Sequence, residues 1–177
     1  SLMITARLAA LALMSATVLG FAGNAAAQAD KYPERPIRWV VPWPPGAPLE
    51  GYGLVVLPVA PLIDPALLGE LVQTPAQLVL YPRSGSKVEA VSIPAGLPPG
   101  PLRTLIDLRI PRVESLRPGV SDAVIWGEER YSGSRWRETL EVGPDVEVLA
   151  CYGDGRPAVV HQGRTHYLAG WFGPDLQ

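Results

Sequence analysis

The chain has 177 residues, 47% hydrophobic and 18% charged, which suits one domain with one core. A net charge of -2 and a pI near 5.7 leave no electrostatic footprint for nucleic acid. A single cysteine, Cys151, excludes an internal disulfide framework, and with only two histidines no Cys/His metal cluster is available, so neither metal nor cofactor is expected.

The sequence begins at Ser1, as a fragment of a longer protein would. Residues 4–22 are apolar apart from Arg7 and a few small polar side chains, and Ala25-Ala26-Ala27-Gln28-Ala29 follows. A short basic start, an apolar centre and an Ala-x-Ala end predict a secretory signal peptide over residues 1–29, cut after Ala27 or Ala29. The competing reading is a transmembrane anchor, against which the glycines, alanines and cleavage-like end argue. Residues 30–46 then read DKYPERPIRWVVPWPPG. This stretch resembles the mature start of the solute-binding receptors of tripartite tricarboxylate transporters. The resemblance implies a periplasmic carboxylate-binding protein whose proline-glycine-glycine loop and downstream aspartate help to hold the ligand. Pro44, Pro45 and Gly46 are kept, but Ala47-Pro48-Leu49-Glu50 replaces the second glycine and the aspartate, and the two-lobed body of a receptor is missing. With the leader the protein is expected in the periplasm or medium, free of the membrane after cleavage; without it, in the cytoplasm.

Residues 51–87 predict strand, helix, strand. Leu54-Val55-Val56-Leu57 is an apolar run without polar alternation, suited to a strand buried on both faces of a parallel sheet. Asp64-Pro65 supplies an N-cap and a proline at the first helical position, and Leu67, Leu68, Leu71 and Val72 fall at helical spacing as one apolar face. Residues 77–81 form the second strand, which Pro82 stops, and a right-handed crossover joins the two strands. The carboxyl ends of such strands carry the chemistry of open α/β sheets, which singles out residues 58–63 and 83–87.

The prolines of residues 94–101 mark a connection into a short helix over 101–108, followed by a strand over 109–116. From Ala123 the pattern changes to short strands at 123–126, 131–142, 146–152, 158–162 and 165–169. Gly153-Asp154-Gly155 and Gln162-Gly163-Arg164 give the hairpin turns of an antiparallel meander. Within 131–142, Trp136, Leu140 and Val142 share one face, while Arg137, Thr139 and Glu141 take the other. Cys151 lies in a predicted strand and reads as structural.

Catalytic constellations are weak. Arg83-Ser84-Gly85-Ser86-Lys87 is neither the Gly-x-Ser-x-Gly elbow of hydrolases nor a phosphate loop. A triad of Ser84 or Ser86 with His166 and Asp154 can be assembled only on paper, since hydroxyl residues are common in turns for backbone reasons. Glu128 and Glu129 are adjacent and sit in a polar turn, so they cannot flank one glycosidic bond.

Several longer stretches share one resemblance: GYGLVVLP from Gly51, PRSGSK from Pro82, IPAGLPPGPL from Ile93, RVESLRPG from Arg112 and GRTHYLAGW from Gly163. Together they make residues 49–176 similar to the middle, trimerisation domain of glycoside hydrolase family 42 β-galactosidases. The resemblance implies an α/β fold, a flavodoxin-like sheet related to class I glutamine amidotransferases, here truncated at its first strand and helix and ending in the antiparallel β meander. Residues 37–41 have the apolar character of a strand that would cover the exposed edge. The family's catalytic glutamates belong to a preceding barrel that this sequence lacks, so no catalytic residue is carried over. The expected function is a non-catalytic association domain that partners a homo-oligomer or a sibling catalytic domain. The alternatives are the truncated carboxylate receptor and a fragment of an enzyme acting on terminal β-D-galactosides. A small serine hydrolase is a third class. Arg83, Ser84, Ser86 and Lys87 are the candidate loop facing a galactoside or a neighbouring subunit.

Overall fold

A computed structural model describes residues 37–39, 49 and 51–173. The predicted signal peptide and most of the receptor-like leader, with Pro44, Pro45 and Gly46, lie outside the described residues. Ten strands share one mixed sheet. Its parallel half consists of β1 (Ile37–Trp39), β2 (Leu54–Leu57), β3 (Gln77–Leu80) and β9 (Thr165–Leu168), side by side in that order. Residues 37–39 pair in parallel with Leu54, Val55 and Val56, so β2 has a strand on each side. Val55, Val56 and Leu57 are all buried, as a strand packed on both faces requires.

The crossover helix α1 (Pro65–Gln73) starts where the sequence predicts. Asp64 Oδ1 accepts the Leu67 N–H at 2.8 Å, and Pro65 fills the first helical position without losing a bond. Leu71 packs fully into the core and Leu67 and Leu68 partly, whereas Val72 is exposed because nothing covers that flank of so short a helix. The helix ends on a tertiary clamp: Arg164, from the turn before β9, donates to the carbonyls of Leu71 at 2.7 Å, Val72 at 2.8 Å and Ala76 at 3.2 Å. These carbonyls have no partner inside the helix, and charged donors make the stronger bonds. Arg164→Met is expected to cost about 2 kcal/mol in urea unfolding, against under about 0.5 kcal/mol for Met at exposed Arg130. Equal losses at the two positions would remove the clamp from the stability of the helix.

The predicted helix over 101–108 is a 3-10 helix over Gly100–Thr104. Thr104 turns its hydroxyl back to the Pro101 carbonyl at 3.0 Å, and Leu108 already belongs to the next strand. That strand, β4 (Leu108–Ser115), pairs only with β6.

The antiparallel half is more than a meander. It contains β5 (Asp122–Trp126), β6 (Glu129–Val142), β7 (Glu147–Tyr152), β8 (Pro157–Gln162) and β10 (Gly170–Phe172). Pairing runs from β9 through β8, β7, β5 and β6 to β10, which follows β9 after a single residue, Ala169. The Ala169 N–H donates to the Ala158 carbonyl, and the Ala169 carbonyl accepts the Glu138 N–H at 2.7 Å. The strand path therefore closes on itself as a small barrel. Gly170 makes this closure possible, since a Cβ there would lie 2.8 Å from the Tyr152 hydroxyl and 2.9 Å from the Phe172 ring. Tyr152, Tyr167, Phe172 and Val124 are fully buried. With one α-helix among the described residues, α/β describes the parallel half, and the domain as a whole is mostly sheet.

Candidate functional site

The loop singled out by the sequence, residues 83–87, leaves β3 at its carboxyl end and is held on three sides. Toward β2, the Gly85 N–H donates to the Ala60 carbonyl at 2.8 Å and the Lys87 N–H to the Pro61 carbonyl at 2.9 Å. Ser84 Oγ accepts the Ala60 N–H at 3.2 Å. Gly85, at φ 65°, lies so close to the turn at the cis bond between Pro98 and Pro99 that a Cβ would stand 2.0 Å from the Pro99 carbonyl oxygen. On the barrel side the Arg83 N–H donates to Glu138 Oε1 at 2.9 Å. Arg83 itself is left-handed at φ 72°, a conformation that costs a non-glycine residue roughly 1–2 kcal/mol.

Ser84 and Ser86 are buried and point into this arrangement, while Arg83 and Lys87 are half-buried. The Ser86 hydroxyl has no hydrogen-bond partner among the described residues. Ser84 thus serves the loop's own geometry. The other two members of the paper triad are engaged separately: Asp154 pairs with Arg137, and the His166 ring lies 4.5 Å from that of His161. Burial and His161 together hold His166 below the usual histidine range.

The sequence gives no sign of the group at the centre. Glu138 is 1% exposed, on the face of β6 that carries Leu140, where alternation reserves the position for an apolar side chain. Its second oxygen accepts the Tyr167 hydroxyl at 2.7 Å. Loss of water pushes the carboxyl up to about 7, against the smaller opposing pull of Tyr167 and of the Arg83 N–H and charge. The neighbouring Arg137, assigned by parity to an open polar face, is buried as well. It donates to Asp122 Oδ2 at 2.8 Å and to Asp154, and its guanidinium lies 4.3 Å from the centre of the Tyr152 ring. Burial works to lower its pKa, but the two aspartates win and hold it above the usual value.

Clefts of the described residues adjoin the barrel, of which two are the larger. One, of about 430 Å³, is lined by Arg103, Asp107 and Arg164, but Arg164 is committed to the helix carbonyls and Arg103 lies 3.5 Å from Asp107. The other, of about 560 Å³, has Leu116, Pro118 and Trp136 along it and no carboxylate. Among the described residues no three His, Cys, Asp or Glu side chains converge as metal ligands, and no helix is long and apolar enough to cross a membrane. Glu128 sits in the predicted turn, whereas Glu129 already belongs to β6, paired with Trp126, and both are exposed. Beside the loop, the parallel bridge between Leu62 and Lys87 and the Val88 N–H bond to Ser92 bring the backbones of residues 62, 87, 88 and 92 together, and at this corner the apolar Leu62, Val88, Val91 and Ile93 are exposed. Val91 is 72% exposed and left-handed at φ 56°, unusual for a β-branched residue.

Comparison with known proteins completes the picture. The sequence profile of the β-galactosidase trimerisation domain matches residues 40–177. A β-galactosidase of Thermus thermophilus is 39% identical over 133 residues, which are 75% of this chain and 20% of that protein. The crystal structure of a β-galactosidase from the psychrophilic Marinomonas ef1 superposes with a TM-score of 0.69 at 33% identity, over 73% of this chain and 20% of that one. A polyextremophilic β-galactosidase from the haloarchaeon Halorubrum lacusprofundi gives 0.67 at 30% identity, over 75% of this chain and 21% of that one. The chain spans about a fifth of the length of the curated relatives it matches. By the extent of the profile match, it belongs to the β-galactosidase trimerisation-domain family of glycoside hydrolase family 42.

Proposed function

We propose that the chain is a non-catalytic association element, and that the apolar corner of Leu62, Val88, Val91 and Ile93 is the surface that docks on another subunit. The observation carrying this reading is the corner itself, a cluster of large exposed apolar side chains on a domain whose family is named for trimerisation. Arg83 and Lys87 border it and are proposed to face the neighbouring subunit or a galactoside, with Ser84 holding the loop from within and Ser86 buried beside it. The left-handed Val91 supports the same reading, since strain at an exposed residue persists where something depends on it. Multi-angle light scattering of the purified chain is expected to give an oligomer, and Val91→Asp with Ile93→Asp a monomer of unchanged circular dichroism. A monodisperse monomer before substitution would defeat the proposal.

The parallel strands with their single crossover helix support a truncated flavodoxin-like sheet as the origin of the first half. Export to the periplasm or medium is proposed from residues 1–29 alone. A galactosidase activity would need the chain to be part of a longer enzyme; turnover of a chromogenic galactoside by this chain alone would contradict a non-catalytic role. The carboxylate-receptor alternative rests on residues 30–46, and saturable heat on titration with citrate would favour it.

A further inference from the structure

The chain's two histidines, His161 and His166, are brought side by side by the fold, their rings 4.5 Å apart. His161 stands opposite His166 in the β8–β9 hairpin and, on its other flank, opposite Glu147 of β7. Residues paired directly across a ladder share a face, so Glu147, His161 and His166 form one row over three strands. Glu147 Oε2 lies 3.5 Å from His161 Nδ1, and that carboxylate side chain is 69% exposed.

The hydrogen bonding of His161 decides what this contact is. Its Nε2 lies 2.8 Å from the Gly163 carbonyl, which can only accept, so Nε2 carries the hydrogen. In the neutral ring Nδ1 is then a lone pair, and it faces the lone pairs of a carboxylate. A charged ring would instead draw so mobile a carboxylate into a bond of about 2.8 Å. Two donors on one tetrahedral ion, each about 2.1 Å from it, stand about 3.4 Å apart, which is the spacing of this pair. A backbone carbonyl on the far nitrogen is also the usual way in which a ligating histidine is held in one tautomer. His166 is the adjacent third donor. Its Nδ1 is buried without a hydrogen-bond partner, so no bond through that atom fixes the ring. We propose that His161 Nδ1 and Glu147 Oε2, joined by His166 on a turn of its ring, bind a divalent transition metal of the zinc type, with water completing the tetrahedron. Imidazole nitrogen beside one carboxylate suits zinc, whereas magnesium demands oxygen. An ion held there ties β7, β8 and β9 together and stabilises the folded chain.

Titration calorimetry of the full chain, free of any purification tag, reads this site with zinc chloride at neutral pH and magnesium chloride as control. A single saturable zinc site per chain is expected, with no saturable heat from magnesium. His161→Asn should abolish it, and His166→Asn and Glu147→Gln should each weaken it by roughly tenfold. Cys151 is the chain's only cysteine, and Cys151→Ser should bind zinc as the native chain does. If His161→Asn does not fold, nitrogen NMR of the native chain replaces it: zinc should move the Nδ1 resonance of His161, easily assigned among two histidines. Absence of saturable zinc binding would overturn the site. So would binding that persists in His161→Asn, binding lost in Cys151→Ser, or a zinc titration that leaves His161 Nδ1 unmoved.

Discussion

Gly85→Ala is expected to lower stability by about 3 kcal/mol, the largest effect of any single methyl added to the described residues. Two independent costs meet there. The backbone sits at φ 65°, where an L side chain loses roughly 1–2 kcal/mol. The added Cβ would also fall 2.0 Å from the Pro99 carbonyl oxygen, and backbone on both sides would have to move to relieve it. Overpacking of this kind costs about 1–3 kcal/mol. Gly155 is the matched control: it has φ 84°, but a Cβ there meets nothing within 4 Å. Gly155→Ala should therefore show the conformational cost alone, about 1 kcal/mol. Urea midpoints at fixed slope measure both, and equal losses at the two glycines would mean that the contact with Pro99 is not a tight one.

The second large effect is the dependence of global stability on pH. Glu138 is raised in the folded protein from 4.5 to about 7, so the folded state binds its proton more tightly than the unfolded state does. Its contribution is complete below about pH 4.5 and is lost as the pH rises to about 7. The loss amounts to about 3 kcal/mol and then stays constant. Asp154, which Arg137 holds below the usual carboxylate range, acts in the opposite sense: its contribution is present above the ordinary aspartate value and disappears at lower pH. The two effects occupy different windows. Denaturant unfolding at about pH 5 and about pH 8 should show the native chain losing about 3 kcal/mol relative to Glu138→Gln, since the depressed His166 adds the same gain with rising pH to both. Parallel pH profiles of the two chains would show that the buried carboxylate is solvated in the folded state.

What the sequence makes legible is local. Asp64-Pro65 names the start of α1 because a cap needs only a side chain three residues from its donor. The turns around Gly155 and Gly163 are readable because left-handed glycines are needed there and nothing distant competes. Glu138 is invisible for the opposite reason. A glutamate between Trp136 and Leu140 in an alternating strand reads as an interruption, and only Tyr167 and the Arg83 N–H, distant in sequence, make its burial tolerable. Arg137 is hidden in the same way by Asp122 and Asp154. The closure through β10 depends on whether two aromatic rings leave room beside Gly170, which no periodicity records. The serines of the loop are noticeable as chemistry, but the inward direction of Ser84 is set by Ala60, from a separate part of the chain.

Closing the barrel through Ala169 also decides where another backbone can be added. In the antiparallel half, β10 returns to β6 and leaves no free rim between β9 and β10. The strand that does lie free there is β4, whose Pro111 lacks a donor and whose Arg109 and Arg112 are exposed, features that discourage edge-to-edge growth. Among the described residues the sheet ends on its parallel side at β1, paired with β2. Among the described residues, closure and the make-up of β4 thus leave the antiparallel half no rim suited to the addition of another strand.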